Sequence, residues 1–278
     1  MEEHISWVTK LVNHLLAPLA LKLLDLVHLK PENPTLPIPQ HVATGLVVLV
    51  LLTLIALIVR SRLSVEKPGA LQQLAEGLLT NSQSFGIRDL LVENTGREGV
   101  RYVPYVGAIS LFVLFSNLLG AFPNTLVSAP TGQATVPLAC AILTFLYFNF
   151  QGFRHHGLLG YLKTFAGNPH GIGGWALAIL LFPVEIISTT ARLLSLTVRL
   201  WANMFASDLI YVIFLGLLAG GTTAAWEKFP VLGIFVGVFA ALMPVLFIGL
   251  HIFVSVVQAY VFTVLPSVYL GLATSDEH

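Results

Sequence analysis

Apolar runs long enough to cross a bilayer recur along this chain, separated by shorter polar stretches. The first clear run covers residues 41–59 and is closed by Arg60 and Arg62. A second covers 103–120, a third 135–150, and two much longer ones fill 173–218 and 230–270. A spanning helix needs about 20 mostly apolar residues, so the pattern predicts an all-α integral membrane protein with about five membrane helices. Elsewhere the spacing is amphipathic. Ile5, Val8, Leu11, Leu15 and Leu19 recur at helical intervals, which predicts an interfacial helix over residues 5–29, ended by Pro31, Pro34 and Pro37. Leu71, Leu74, Leu78 and Leu79 stand among Gln72, Gln73 and Glu76 and predict a second surface helix. The organisation read from this is a surface segment at 1–40, a membrane helix at 41–60, a loop with its surface helix at 61–102, two membrane helices at 103–151, and a long helix pair at 173–270.

The last two segments are too long for upright crossings. At about 1.5 Å per residue the fourth would reach roughly 69 Å and the fifth roughly 60 Å, against a hydrocarbon core of about 30 Å. Residues 184–215 contain neither Gly nor Pro, so no hairpin turn is available there. A continuous, strongly tilted helix is expected.

Lys and Arg set an expected orientation. The 61–102 loop and its flanks hold Arg60, Arg62, Lys67, Arg88, Arg97 and Arg101, and the 121–133 loop holds none. The 151–172 loop holds Arg154 and Lys163, and the 219–229 loop only Lys228. The two basic loops are therefore expected in the cytoplasm, with the N-terminus outside and the C-terminus inside. Glu2 and Glu3 open the chain where a secretory signal would be basic, and no small-residue cleavage site follows an apolar core, so a cleaved signal is not expected.

Composition agrees with the membrane reading: 56% of residues are hydrophobic and 10% charged, against about a quarter charged in soluble domains. The mean hydropathy is +0.83. A net charge of zero gives no hint of nucleic acid, and the single cysteine, Cys140, excludes a disulfide framework or a cysteine-based metal cluster.

The candidate chemistry lies in the fourth segment, which carries Glu185, Arg192, Arg199 and Asp208. Charges at bilayer depth are costly and usually face a partner or a water-filled cavity; snorkelling of the two arginines is the plainer alternative. Helical geometry argues against snorkelling. Glu185, Arg192 and Arg199 are spaced by seven, each step turning only about 20°, so they form one stripe. Ser195 and Asn203 flank Arg199 at minus four and plus four. Asp208 falls about half a turn round and roughly 14 Å further along. Two carboxylates on either side of a buried arginine suit two aqueous pockets with a positive barrier between them. A guanidinium keeps its proton where a buried lysine can lose one, and it favours the ionised form of a carboxylate brought close to it. The fifth segment adds His251, Ser255 and Gln258 at spacings of four and three. A lone His in an apolar helix is often structural; beside Ser and Gln it becomes a candidate proton relay, and Gln258 is a neutral candidate partner for the guanidinium.

The stretch Leu196-Thr197-Val198-Arg199-Leu200-Trp201-Ala202-Asn203-Met204 resembles the arginine-bearing motif LxxRLxxNM of the a subunits of F-type ATP synthases. Tyr102-Val103-Pro104-Tyr105-Val106-Gly107, Ser116-Asn117-Leu118-Leu119-Gly120 with Pro123, Gln258-Ala259-Tyr260-Val261-Phe262 and Val268-Tyr269-Leu270 match in the right order. The resemblance implies a proton-translocating stator subunit in the bacterial plasma membrane, non-catalytic by itself, with Arg199 facing a ring of c subunits. It implies that Glu185, Asp208, His251 and Gln258 line two half-channels and that the last two helices form a near-horizontal hairpin. The implied partners are the c ring, the b-subunit peripheral stalk, the rest of the synthase and the lipid bilayer, with no nucleic acid. No cofactor is implied beyond the translocated proton, and the choice between proton and sodium is left to the ring. Asp208 departs from the Glu of many members, and Trp201 and Ala202 stand where Phe and Gly are common.

Two other functions fit the sequence less well. A self-contained proton-coupled transporter would show an internal repeat, and none is visible between the two halves. An intramembrane metal enzyme would draw on His155, His156 and His170, which lack HExxH spacing.

Overall fold

The computed structural model describes residues 6–274, apart from 27, 29, 32, 34, 81–85, 122–128 and 168–170. Glu2, Glu3, Ile5, Pro34, Pro123 and His170, and most of the 121–133 loop, lie outside the described residues. Among those described there are nine α-helices and no strand: α1 Trp7–Leu26, α2 Gln40–Ser61, α3 Ala70–Leu79, α4 Ile87–Thr95, α5 Val103–Leu118, α6 Thr135–Phe165, α7 Gly171–Gly216, α8 Thr222–Lys228 and α9 Pro230–Thr274. Five stretches are long and apolar enough to cross a membrane: Gln40–Ser61, Ile87–Ala121, Thr135–Lys163, Leu177–Gly216 and Gly233–Thr274. Their outward faces are apolar. Leu49, Val50, Leu54 and Leu57 on α2 are all exposed, a surface suited to lipid rather than water.

Three elements differ from the sequence expectation. The third membrane helix does not stop near residue 150 but continues to Phe165 across a break at Gly157, whose φ of 72° and ψ of 168° only glycine adopts readily. Beyond the break Tyr161 returns to Phe153, at 4.8 Å between ring centroids, and to the Asn149 side chain, to which its hydroxyl donates at 3.2 Å. Gly152 makes room for that ring, because a Cβ there would collide with Tyr161. Second, α4 and the 3₁₀ turn Gly96–Tyr102 add helical structure ahead of α5, inside what was read as a loop. Third, the 219–229 connection is helical, formed by a π-turn at Leu217–Gly221 and by α8.

The fourth and fifth long segments are each continuous, at 46 and 45 residues, and α7 accommodates Pro183 without ending. At about 1.5 Å per residue either is more than twice as long as a bilayer core is thick.

The chain divides into two compact units. The first comprises Met1–Val50, Val113–Val136 and Leu200–Gln258. In it α1 is held by Asn13, which is 4% exposed: its Nδ2 donates to the Ile38 carbonyl at 3.0 Å and its Oδ1 accepts from the Ile38 N–H at 2.9 Å. Val8, Val12, Ile38 and Ala43 pack around this clamp. Phe214 of α7 lies 6.2 Å from Phe239 and 5.4 Å from Phe247 of α9.

The second unit comprises Leu51–Phe112, Pro137–Arg199 and Ala259–His278. Its core joins α4, α5, α6 and the end of α9 through Leu91, Tyr102, Val106, Phe148, Tyr161 and Leu270. Tyr105 stacks on Tyr147 at 3.7 Å. Polar links accompany the packing: the Ser110 and Thr263 hydroxyls are 2.8 Å apart, and Asn94 Nδ2 donates to Ser267 Oγ at 3.1 Å.

Candidate functional site

On α7 the arginine motif separates into two faces. Leu196, Leu200 and Met204 are 3%, 0% and 2% exposed and anchor the helix. Arg199 lies about 100° round the helix from the centre of that face and is exposed, as are Ala191, Ser195, Ala202 and Ala206. These positions are separated by three or four residues, so they share one face. The expectation of a buried arginine is therefore corrected for the chain taken alone. The guanidinium stands on a strip of small residues, with the exposed Leu194, Val198 and Phe205 further round the helix, and has no bond or ion pair among the described residues.

The second unit gathers Glu185 and Arg192. Their stripe spacing lets Arg192 Nη2 reach Glu185 Oε1 at 3.8 Å. The Arg192 guanidinium also lies 5.3 Å from the centre of the Tyr269 ring, a distance at which a cation is attracted to an aromatic face. Thr189 donates to the Glu185 carbonyl at 2.7 Å, and its hydroxyl is 3.4 Å from Glu185 Oε1. Glu185, Thr189, Arg192, Tyr161, Tyr269 and Phe148 line a cavity of about 360 Å³ with Phe165, Gly167, Leu272 and Ala273. Tyr161 was not among the residues singled out; its helical position past Gly157 was what hid it.

The first unit gathers the other polar residues. His251 is buried, and its Nε2 lies 3.0 Å from the Asn117 carbonyl oxygen. A carbonyl only accepts, so Nε2 carries the proton in this contact. Ser255, fully buried, donates to the His251 carbonyl at 2.8 Å, and Gln258 is buried on the same face. A Cβ on Gly120 would meet the imidazole at 2.9 Å and the Ala129 Cβ at 3.2 Å; one on Gly132 would lie 3.5 Å from Asp208 Oδ2. Gly120 thus borders the imidazole and Ala129, and Gly132 borders the carboxylate. Asp208 and Asn203 are half-buried, and the Asn203 carbonyl accepts from Ser207 Oγ at 2.9 Å.

On the same elements Ser116 Oγ, both amide atoms of Asn117, Thr131 Oγ1 and Gln258 Oε1 are buried with no hydrogen-bond partner among the described residues. Buried polar atoms are normally satisfied by protein or by water, so this cluster is suited to holding water. Nothing along the sequence indicates that Asn117 approaches α9, or that Ser116 and Thr131 are buried with it.

His155 and His156 lie on α6 with ring centroids 4.8 Å apart.

The sequence model of the family described as ATP synthase A chain matches residues 42–271. The chain belongs to that family. It is 36% identical to the ATP synthase subunit a of Koribacter versatilis (strain Ellin345) over 280 residues, covering 99% of each chain. It is 36% identical to that of Solibacter usitatus (strain Ellin6076), covering 92% of this chain and 95% of the relative. With the Aquifex aeolicus (strain VF5) protein the identity is 37%, over 76% of this chain and 87% of the relative. The ATP synthase A chain match contains every candidate residue from Glu185 to Gln258, together with Ser116, Asn117 and Thr131.

Proposed function

We propose that this chain is the stator subunit of an F-type ATP synthase membrane sector that carries protons to and from the carboxylates of a rotating ring of c subunits. Protons enter from outside through the first unit's polar cluster, by way of Asp208, His251 and water held by Ser116, Asn117, Thr131 and Gln258. They neutralise a ring carboxylate, travel with the ring, and leave to the cytoplasm through the second unit's cavity beside Glu185 and Arg192. Arg199 is the barrier. It keeps its proton under all physiological conditions, so it blocks direct hopping, and it favours ionisation of each carboxylate that passes.

The observation that carries this reading is the exposure of Arg199 on a strip of small residues. A permanent charge on an apolar helix requires a partner or water, and small residues let another helix approach closely. The ring is therefore the partner for Arg199, and the path is complete only when the ring is present. The long α7 and α9 lie steeply tilted beside it. The N-terminus is outside and the C-terminus cytoplasmic, and a peripheral stalk of b subunits holds the chain against rotation. By itself the chain catalyses nothing.

Disulfide cross-linking in the assembled complex tests this placement. Ala202→Cys and Ala206→Cys should cross-link to single cysteines on the ring's outer helix, and Leu200→Cys should not. Equal cross-linking from Leu200, or none from 202 and 206, would refute it.

A further inference from the structure

A second recess in the second unit has no part in the ion path. It is about 350 Å³ in volume and is lined by Glu98, Arg101, Tyr102, Tyr147, Gln151, Arg154 and His155. Arg101 pairs with Glu98 at 3.2 Å, both side chains being more than half exposed. Arg154 is exposed and has no ion-pair partner among the described residues. Two guanidinium groups thus stand over one carboxylate, so the recess carries a positive excess before His155 is counted. Tyr102 and Tyr147 form its wall, with ring centroids 6.4 Å apart and ring planes at 88°.

Its position narrows the ligand. Arg101 immediately precedes the apolar run of α5, and Arg154 closely follows that of α6, so the recess lies where two spans leave the hydrocarbon. Tyrosines favour that depth. Leu143, Leu146 and Phe150, one to three turns back along α6 from Arg154, are 57%, 57% and 60% exposed. Leu143 and Phe150 fall within about 60° of Tyr147 around the helix. A cationic recess therefore opens directly onto an apolar strip.

We propose that this recess binds the phosphate headgroup of an anionic phospholipid, with the acyl chains along Leu143, Leu146 and Phe150. The two arginines hold the phosphate through charge-assisted hydrogen bonds. Gln151 and the Tyr147 hydroxyl beside it complete the polar contacts. Basic pockets between membrane helices favour this chemistry, and the apolar strip distinguishes a lipid from a free phosphate ion, which would gain nothing from it.

The test uses the assembled membrane sector in mild detergent, exchanged with phosphatidylglycerol or phosphatidylcholine, with retained lipid quantified by mass spectrometry. The unaltered complex should retain phosphatidylglycerol preferentially. The Arg101→Gln/Arg154→Gln pair, which removes both phosphate contacts, should reduce that retention by about tenfold or more. Arg101→Lys/Arg154→Lys should keep part of it, and Leu143→Ser/Phe150→Ser should weaken it with the arginines intact. Equal retention of the two lipids, or unchanged retention in the Gln pair, would overturn the proposal. Displacement of phosphatidylglycerol by an equal concentration of inorganic phosphate would also overturn it, by assigning the recess to a free anion.

Discussion

His251 Nε2 lies 3.0 Å from the main-chain carbonyl oxygen of Asn117. This contact joins α9 to the end of α5 and places a proton on Nε2, since a carbonyl only accepts. A relay needs such a fixed donor. The Asn117 side chain is buried with no partner among the described residues, and under the proposed function it is a site for water beside the imidazole.

The contact is sensitive to bulk at Gly120, where a Cβ would stand 2.9 Å from the imidazole. Gly120→Ala should displace His251 and cost about 1–3 kcal/mol of stability, as overpacking does. Proton-driven ATP synthesis should fall roughly tenfold or more, the scale of misplacing a proton-transfer group. ATP synthesis by reconstituted complex measures this, and an unaffected rate would contradict the assigned role of His251.

Glu185 and Arg192 make a weak pair by comparison. At 3.8 Å, with side chains 41% and 30% exposed, the pair contributes less than about 1 kcal/mol to stability. Glu185→Gln should therefore leave the unfolding midpoint nearly unchanged while slowing coupled proton flow. A large loss of stability would instead make Glu185 a structural residue.

Gly157 has a φ of 72° and a ψ of 168°. Gly157→Ala should cost about 1–3 kcal/mol through backbone strain and loosen the return of Tyr161 onto Gly152. Thermal unfolding of the purified variant measures the first effect. Increased protease cleavage within 157–165 reports the second.

The helical content of the chain was readable because lipid imposes it: an apolar run of this length has no alternative to a helix. The absence of Gly and Pro from residues 184–215 anticipated the continuity of α7; the spacing of seven put Glu185 and Arg192 on one stripe, and their contact at 3.8 Å came from the structure. Three features were not readable. The helix beyond residue 150 was obscured by Gly152, Gly157 and Gly160, which weaken any helical pattern. The approach of Asn117 to His251 depends on tertiary packing between residues 134 apart in sequence. The exposure of Arg199 in the chain taken alone was not readable, because neither hydropathy nor the spacing of seven separates a charge covered by its own chain from one covered by another. The small residues at 191, 195, 202 and 206 were the available signal that another molecule covers it.

Arg199→Ala tests the central claim most directly, in vesicles reconstituted with the whole synthase. Two readings are taken together: ATP synthesis under an imposed proton gradient, and passive proton leak through the membrane sector. Removal of the barrier should abolish synthesis while leaving a measurable leak. Normal coupled synthesis by the variant would contradict the account.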